Sequence, residues 1–252
     1  NKTLLEASDL VRRSVAVLAA VGGFQTPTIA KATTSTIPII FGIGEDPVKQ
    51  GLVPNLNWPG GNMTGATFST SLLGAKRLGI LRDLVPSAKV IALLVNQSSS
   101  QGQRQKQDVE EAASEVGQRL VILDGSSDQE IDVSYANLAK QNVDALIVGS
   151  DPFFDPRRDR MIALSARYAM PTIYQFREFV LAGGLVSYGA SITDLYRQVG
   201  VYVGRVLKGE SPGDLPVMLP TNFELSINLK TAKTLGLAIP SGLLAIADEV
   251  IE

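Results

Sequence analysis

The 252-residue chain has no cysteine and no histidine. Without cysteine there is no disulfide, no thiolate nucleophile and no thiolate metal ligand, and cysteine usage says nothing about redox compartment. Without histidine, the commonest general base and the commonest transition-metal ligand are both missing. Carboxylate or lysine catalysis is still open to such a chain, but the reading that follows is a non-enzyme with no metal and no cofactor. Charge is modest: charged residues make up 19% and the net charge is −2. Lys and Arg are scattered, whereas phosphate binding needs a concentrated positive face, so nucleic acid is excluded as the main partner. No apolar run approaches the roughly 20 residues that span a bilayer, so no membrane span is expected. No P-loop, no GxGxxG after a strand and no GxSxG elbow occurs.

What the chain does have is a series of short apolar runs rich in β-branched residues. VAVLAAV starts at Val15, IPIIFGI at Ile37, VIALLV at Val90, LVIL at Leu120, ALIVG at Ala145, PTIY at Pro171 and LVSY at Leu185. Each is apolar on both pleat faces, as suits a parallel strand covered above and below. Segments of helical period lie between them: Leu72–Leu84, Gln103–Val116, Glu130–Gln141, Pro156–Tyr168 and Ile192–Leu207. Such alternation predicts α/β architecture with doubly wound parallel sheets.

The alternation breaks three times. LVPNLNWPGGNMTGATFST between Gln50 and Ser71 carries two prolines, three glycines and no helical period. Further breaks follow Tyr188 and run through KGESPGDLPVMLPTNFEL. Three breaks suit a chain crossing three times between two lobes, expected at 1–69 with 189–218 and at 70–188 with 219–252. The first lobe shows two strands before Gly60, fewer than a free-standing α/β sheet usually has. It is therefore expected to be truncated at its N-terminus, with a leader removed.

Open α/β sheets bind ligands beyond the carboxyl ends of their strands, where helix N-termini offer free N–H groups and partial positive charge. After the first run, Gln25 and Thr26 are candidates for a ligand carboxylate, with Thr26 and Pro27 also fitting N-cap and N1 of a helix. After the second, Asp46 before Pro47 reads first as a cap and second as a partner for a ligand ammonium. Asn96, Ser98 and Ser99 follow Val95 and suit an anionic oxygen. Asp151 is a cap or a counter-charge, and Phe153 is an apolar wall or a packed loop residue. Tyr174 and Tyr188 offer a ring face with a hydroxyl. Asp155 and Asp159 lack the alternating oxygen ligands and turn glycine of a calcium loop, which excludes that metal.

The run ATTSTIPIIFGIGEDPVKQGLVPNLNWPGGNMTG, Ala32 to Gly65, resembles a family of ABC transporter substrate-binding proteins, with their STIPIVF-like strand, DPV turn and RPGGNVTG-like connection. The likeness continues through GAKRLGILRDLVPSAK, DPFF at Asp151, YQFREFVLAGGLVSYG from Tyr174 and the C-terminal DLPVMLPTNFELSINLKTAKTLGLAIPSGLLAIADEVIE, covering essentially the whole chain. It implies a type I periplasmic-binding fold of two Rossmann-like lobes and three crossovers. It also implies a periplasmic or extracellular protein, free or lipid-anchored, that delivers a small solute to an ABC permease. Some members bind amino acids, including aromatic ones. Where the family has an asparagine–proline turn, this chain has Asn96–Ser100.

The expected ligand is a small zwitterion, an amino acid with an apolar or aromatic side chain, taken up between the lobes as they close. An alternative is the effector-sensing core of a transcription regulator of the same architecture, which would need a basic DNA-binding module upstream. A Rossmann-type enzyme is a third reading, disfavoured by the missing histidine, cysteine and nucleotide motifs.

Overall fold

Residues 2–68 and 73–252 are described by the computed structural model. They fall into two units, Asn1–Ser69 with Ser191–Thr221 and Thr70–Ala190 with Asn222–Glu252, so the chain passes between units three times. The helix start expected at Leu72 and the boundary expected between residues 69 and 70 lie outside the described residues. The smaller unit opens with α1 (Lys2–Arg12), β1 (Leu18–Val21), α2 (Gln25–Thr33), β2 (Ile39–Ile43) and β3 (Met63–Thr67). The larger runs through α3 (Gly74–Leu84), β4 (Val90–Val95), α4 (Ser100–Glu115), β5 (Arg119–Asp124), α5 (Asp128–Asn137) and β6 (Ala145–Val148). It continues with α6 (Arg158–Arg167), β7 (Thr172–Tyr174), α7 (Arg177–Leu181) and β8 (Val186–Ala190). The chain returns to the smaller unit for α8 (Ile192–Leu207) and ends in the larger with β9 (Phe223–Asn228), α9 (Leu229–Thr234), α10 (Ser241–Ile246) and β10 (Glu249–Ile251).

In the smaller unit β1, β2 and β3 form a parallel sheet, with Ile39 opposite both Leu18 and Met63. Every residue of β2 is buried because the pleat feeds two cores. Ile39, Phe41 and Ile43 pack with Leu18, Met63 and Ala30 of α2, while Ile40 packs with Leu195, Val199 and Tyr202 of α8. Leu195, Val199, Tyr202 and Val206, the buried stripe of α8, recur at intervals of three and four. Each such side chain contributes about 1.5–3 kcal/mol on full burial. The polar MTGAT of β3 carries no strand signature. It is held by its neighbours: Thr64 Oγ1 donates to the Leu215 carbonyl at 2.6 Å, and Met218 N donates to the Gly65 carbonyl at 2.9 Å.

The larger unit holds a seven-stranded sheet ordered β10-β9-β8-β7-β6-β4-β5. Its strands are parallel except that β9 runs antiparallel to β8, a departure from the all-parallel expectation. The chain leaves this unit after Ala190 and re-enters beside it, Phe223 pairing with Ala190, so β9 can only run back. On one face Ile91, Leu93, Val95, Ile147 and Ile173 pack with Leu78, Leu81 and Leu84 of α3 and Val109 of α4. The alternate residues Ala92, Leu94, Leu146 and Val148 are buried too, as a doubly covered sheet requires. Four helix starts are capped from the side chain: Ser99 accepts from Gly102 N, Ser127 from Glu130 N, Ser191 from Asp194 N and Asn228 from Thr231 N. Among the described residues no helix is long and apolar enough to cross a membrane.

Candidate functional site

In the larger unit the residues beyond the carboxyl ends of β4 and β6 interlock. Ser99 caps α4 through the Gly102 N–H at 2.9 Å, and its hydroxyl lies 2.6 Å from Asp151 Oδ2, to which it donates. The Asn96 side chain turns back to accept from Ser98 N at 3.1 Å, and Ser98 is exposed. Asp151 is buried and its second oxygen accepts from Phe153 N at 2.9 Å, so it caps its own turn while pairing with Ser99. The Phe153 ring is half-buried and covered on one side by the Arg157 guanidinium, 3.5 Å from the ring centre. Asn96, Ser98, Ser99, Asp151 and Phe153 therefore share one edge of one sheet.

Tyr188 is half-buried and stacks on Phe223, ring centres 6.3 Å apart. Tyr174 differs from expectation. It is the last residue of β7, wholly buried, with its ring stacked 4.8 Å from Phe179 and its hydroxyl donating to Ser165 Oγ at 2.9 Å. These contacts hold the side chain within the larger unit's interior instead of at the open strand edge, and burial pushes its phenol up to about 12.

In the smaller unit Gln25 and Thr26 lie in the first turn of α2, exposed and half-buried. The helix starts before the expected cap: Phe24 is N-cap and makes no side-chain cap bond, and Thr26 is the second helical residue. Pro27 is tolerated at the third because the first four N–H groups of a helix have no intrahelical partner. Asp46 follows β2 and accepts from Val48 N at 2.9 Å and Lys49 N at 3.2 Å, capping the turn that begins at Pro47. Glu45 beside it is buried.

Three polar residues at the larger unit's carboxyl edge escaped the sequence reading: Gln105, Arg77 and Gln175. Gln105 of α4 clamps the Ser150 backbone, donating to its carbonyl at 2.5 Å and accepting from its N–H at 2.6 Å. Arg77 of α3 is 1% exposed; its Nη1 donates to Ser150 Oγ at 3.0 Å and its Nε to the Tyr188 carbonyl at 2.7 Å. Burial pulls this guanidinium down to about 9, still charged at neutral pH. Gln175, just past β7, is buried and donates from Nε2 to Asp155 Oδ1 at 3.2 Å. Burial pushes the Asp155 carboxyl up to about 7; the Gln175 hydrogen bond pulls it down, while Asp151 and Glu178 push it further up. One signal was available for Arg77: it shares the helical stripe of Leu78, Leu81 and Leu84, a charge where the pattern demands a core residue. Among the described residues no cluster of three or more acidic groups could hold a metal ion.

The sequence pattern of the family described as ABC transporter substrate binding protein matches residues 1–251. A tyrosine-binding protein of Clostridioides difficile strain R20291 is 29% identical over 212 residues, which are 83% of this chain and 61% of that protein. The chain thus spans somewhat less than two thirds of that relative's length. A Streptococcus pneumoniae ABC domain solved in complex with L-Trp superposes with a TM-score of 0.87 at 25% identity, covering 99% of this chain and 85% of that one. A periplasmic binding protein/LacI transcriptional regulator of Alkaliphilus metalliredigens complexed with D-xylulofuranose shares the fold, with a TM-score of 0.56 at 11% identity over 89% of this chain and 80% of that one. The fold is therefore that of the type I periplasmic binding proteins, common to transport proteins and regulators.

Proposed function

The chain belongs to the ABC transporter substrate-binding protein family, and on that premise we propose that it is the solute-binding component of an uptake system whose solute is an aromatic amino acid. The observation that carries the reading is that a relative matching 99% of this chain, at 25% identity, holds L-Trp; the tyrosine-binding relative adds to it. The residues of each unit, taken separately, suit such a solute. In the larger unit the N-terminus of α4, capped by Ser99, offers free N–H groups to a carboxylate and Ser98 adds an exposed hydroxyl, while the Ser99 proton is held by Asp151. Charge at a helix end is favoured by about 0.3–1 kcal/mol when exposed and more when desolvated. Asp151 offers a carboxylate to an ammonium, and Phe153 and Tyr188 offer ring faces to an aromatic side chain. In the smaller unit Gln25 and Thr26 at the start of α2 and Asp46 after β2 offer the same two kinds of group.

The protein acts outside the cytoplasmic membrane, passes its solute to an ABC permease and performs no turnover. The test is calorimetric titration of the full-length protein against amino acids, sugars and organic acids, with mass spectrometry of any co-purified solute. Saturable one-to-one binding of tyrosine or tryptophan is expected. Tight binding of a sugar with no response to any amino acid would overturn the assignment and leave the family and fold standing.

A further inference from the structure

Arg77 is a charge in an unusual position. Its guanidinium is enclosed in the larger unit and makes two hydrogen bonds to neutral acceptors, the Tyr188 carbonyl and the Ser150 hydroxyl, while Nη2 has no partner among the described residues. Among the described residues no carboxylate pairs with it, and besides burial it is Tyr188 that bears on its charge. An uncompensated buried charge is costly, and hydrophobic side chains are the usual occupants of such a stripe. The cost is incurred at one place: Ser150 follows β6, on the carboxyl edge where open α/β sheets take ligands, and Tyr188 lies in mid-β8, two residues before its carboxyl end.

The neighbourhood has a second incomplete group. Gln175 is wholly buried, and with Nε2 committed to Asp155 its Oε1 has no donor among the described residues. Gly189 joins the two. A Cβ there would overlap the Gln175 backbone carbonyl oxygen, so only glycine lets β8 pass this close to Gln175, and the same position lies in ordinary contact, 3.6 Å, with Arg77 Nη2. The edge is therefore polarised, with a fixed cation and an unmet donor at Arg77, and an unmet acceptor and two acids at Gln175, Asp155 and Asp151.

We infer that Arg77 is the specificity-determining charge of the site: its field makes a carboxylate obligatory on the solute, while the Gln175 and Asp155 side of the same edge favours the solute's ammonium. The inference rests on the amino-acid reading above and deepens it. Arg77 is enclosed and acts across the intervening polar shell rather than by direct grip. Two unit charges about 8 Å apart at an effective dielectric near 20 alter an equilibrium by roughly thirtyfold. Where the solute carries no carboxylate, that factor is lost.

The experiment compares full-length wild type, Arg77→Met, Arg77→Gln and Arg77→Lys by calorimetry, with L-tyrosine, L-tryptophan, tyrosinamide and tyramine as probes and circular dichroism as the folding control. Wild type is expected to prefer tyrosine over tyrosinamide by at least thirtyfold. Arg77→Met and Arg77→Gln should compress that ratio about tenfold or more, by weakening the acid rather than by weakening both probes equally. Arg77→Lys should keep most of the ratio, because it keeps the charge. An equal loss for acid and amide in the neutral variants, or loss of the ratio in Arg77→Lys, would show a purely structural role and overturn the inference. So would a wild-type ratio below threefold, which needs no variant to fold. If wild type binds none of the four probes, the amino-acid reading fails first and the inference falls with it; tyrosine binding with an unaltered ratio in Arg77→Met sinks the inference alone.

Discussion

Replacing Asp155 by Asn should stabilise the larger unit at pH 8 and leave it little changed at pH 4. Burial is the main reason the native carboxyl sits at about 7 instead of the ordinary 3.8, with Asp151 and Glu178 adding to the rise and Gln175 and Arg158 opposing it. A native value above the unfolded one means the folded state holds the proton more tightly. The corresponding stability is fully present below about pH 4 and is lost as pH rises through about 7, because the unfolded chain ionises first. At about 1.4 kcal/mol per pH unit the interval is worth at most about 4 kcal/mol. Solvent reaching the partly exposed side chain screens this, so the expected effect is about 1–3 kcal/mol. Asparagine keeps an acceptor for Gln175 Nε2 and never ionises, so the variant escapes the penalty. The assay is urea unfolding of both proteins at pH 4, 5, 6, 7 and 8, followed by far-ultraviolet circular dichroism. Subtracting the variant from the wild type cancels every other titrating group that the substitution does not touch. A difference that is flat from pH 4 to pH 8, or that favours wild type more as pH rises, would refute the reasoning.

Three further substitutions probe the groups that position the strand ends. Ser165→Ala removes the oxygen shared by the hydroxyls of Tyr135, Thr172 and Tyr174, all buried; at about 1–3 kcal/mol for an orphaned buried group, a loss of roughly 3 kcal/mol is expected in denaturant melts. Ser99→Ala removes the α4 cap and the Asp151 partner together, for a loss of about 1–2 kcal/mol in the same melts, with weaker tyrosine binding by calorimetry. Gly189→Ala drives a methyl into the Gln175 carbonyl; a core overpacked in this way loses about 1–3 kcal/mol or more, and reduced yield of folded protein with greater hydrogen exchange at the end of β8 should follow.

The strands legible in the sequence were those whose neighbours hardly matter. Ile39–Ile43, Val90–Val95 and Ala145–Val148 are apolar on both pleat faces, and any sheet that buries them must cover both sides. Ser99 was legible as part of a helix start because a cap is made between residues three apart. By contrast MTGAT at Met63–Thr67 and FEL, the first half of the strand Phe223–Asn228, read as parts of connections. They become strands through partners far along the chain: Leu215 and Met218 for the first, and Ser187 opposite Ser226 for the second. The site divides in the same way. Local pattern placed Asn96, Ser98, Asp151 and Phe153 beyond strand ends, but only the tertiary structure brought the Ser99 hydroxyl onto Asp151 and turned Tyr174 inward against Phe179. Thr172, Ile173 and Tyr174 are all buried, so both faces of β7 are covered and the surroundings of its last side chain are decided by what packs over it. Arg77 stood in the sequence as a charge on an apolar stripe, which is a local fact. That it reaches the Tyr188 carbonyl and the Ser150 hydroxyl and meets no carboxylate depends on strands more than 70 residues away, and hydrogen bonds at that range are decided by packing, not by sequence neighbours.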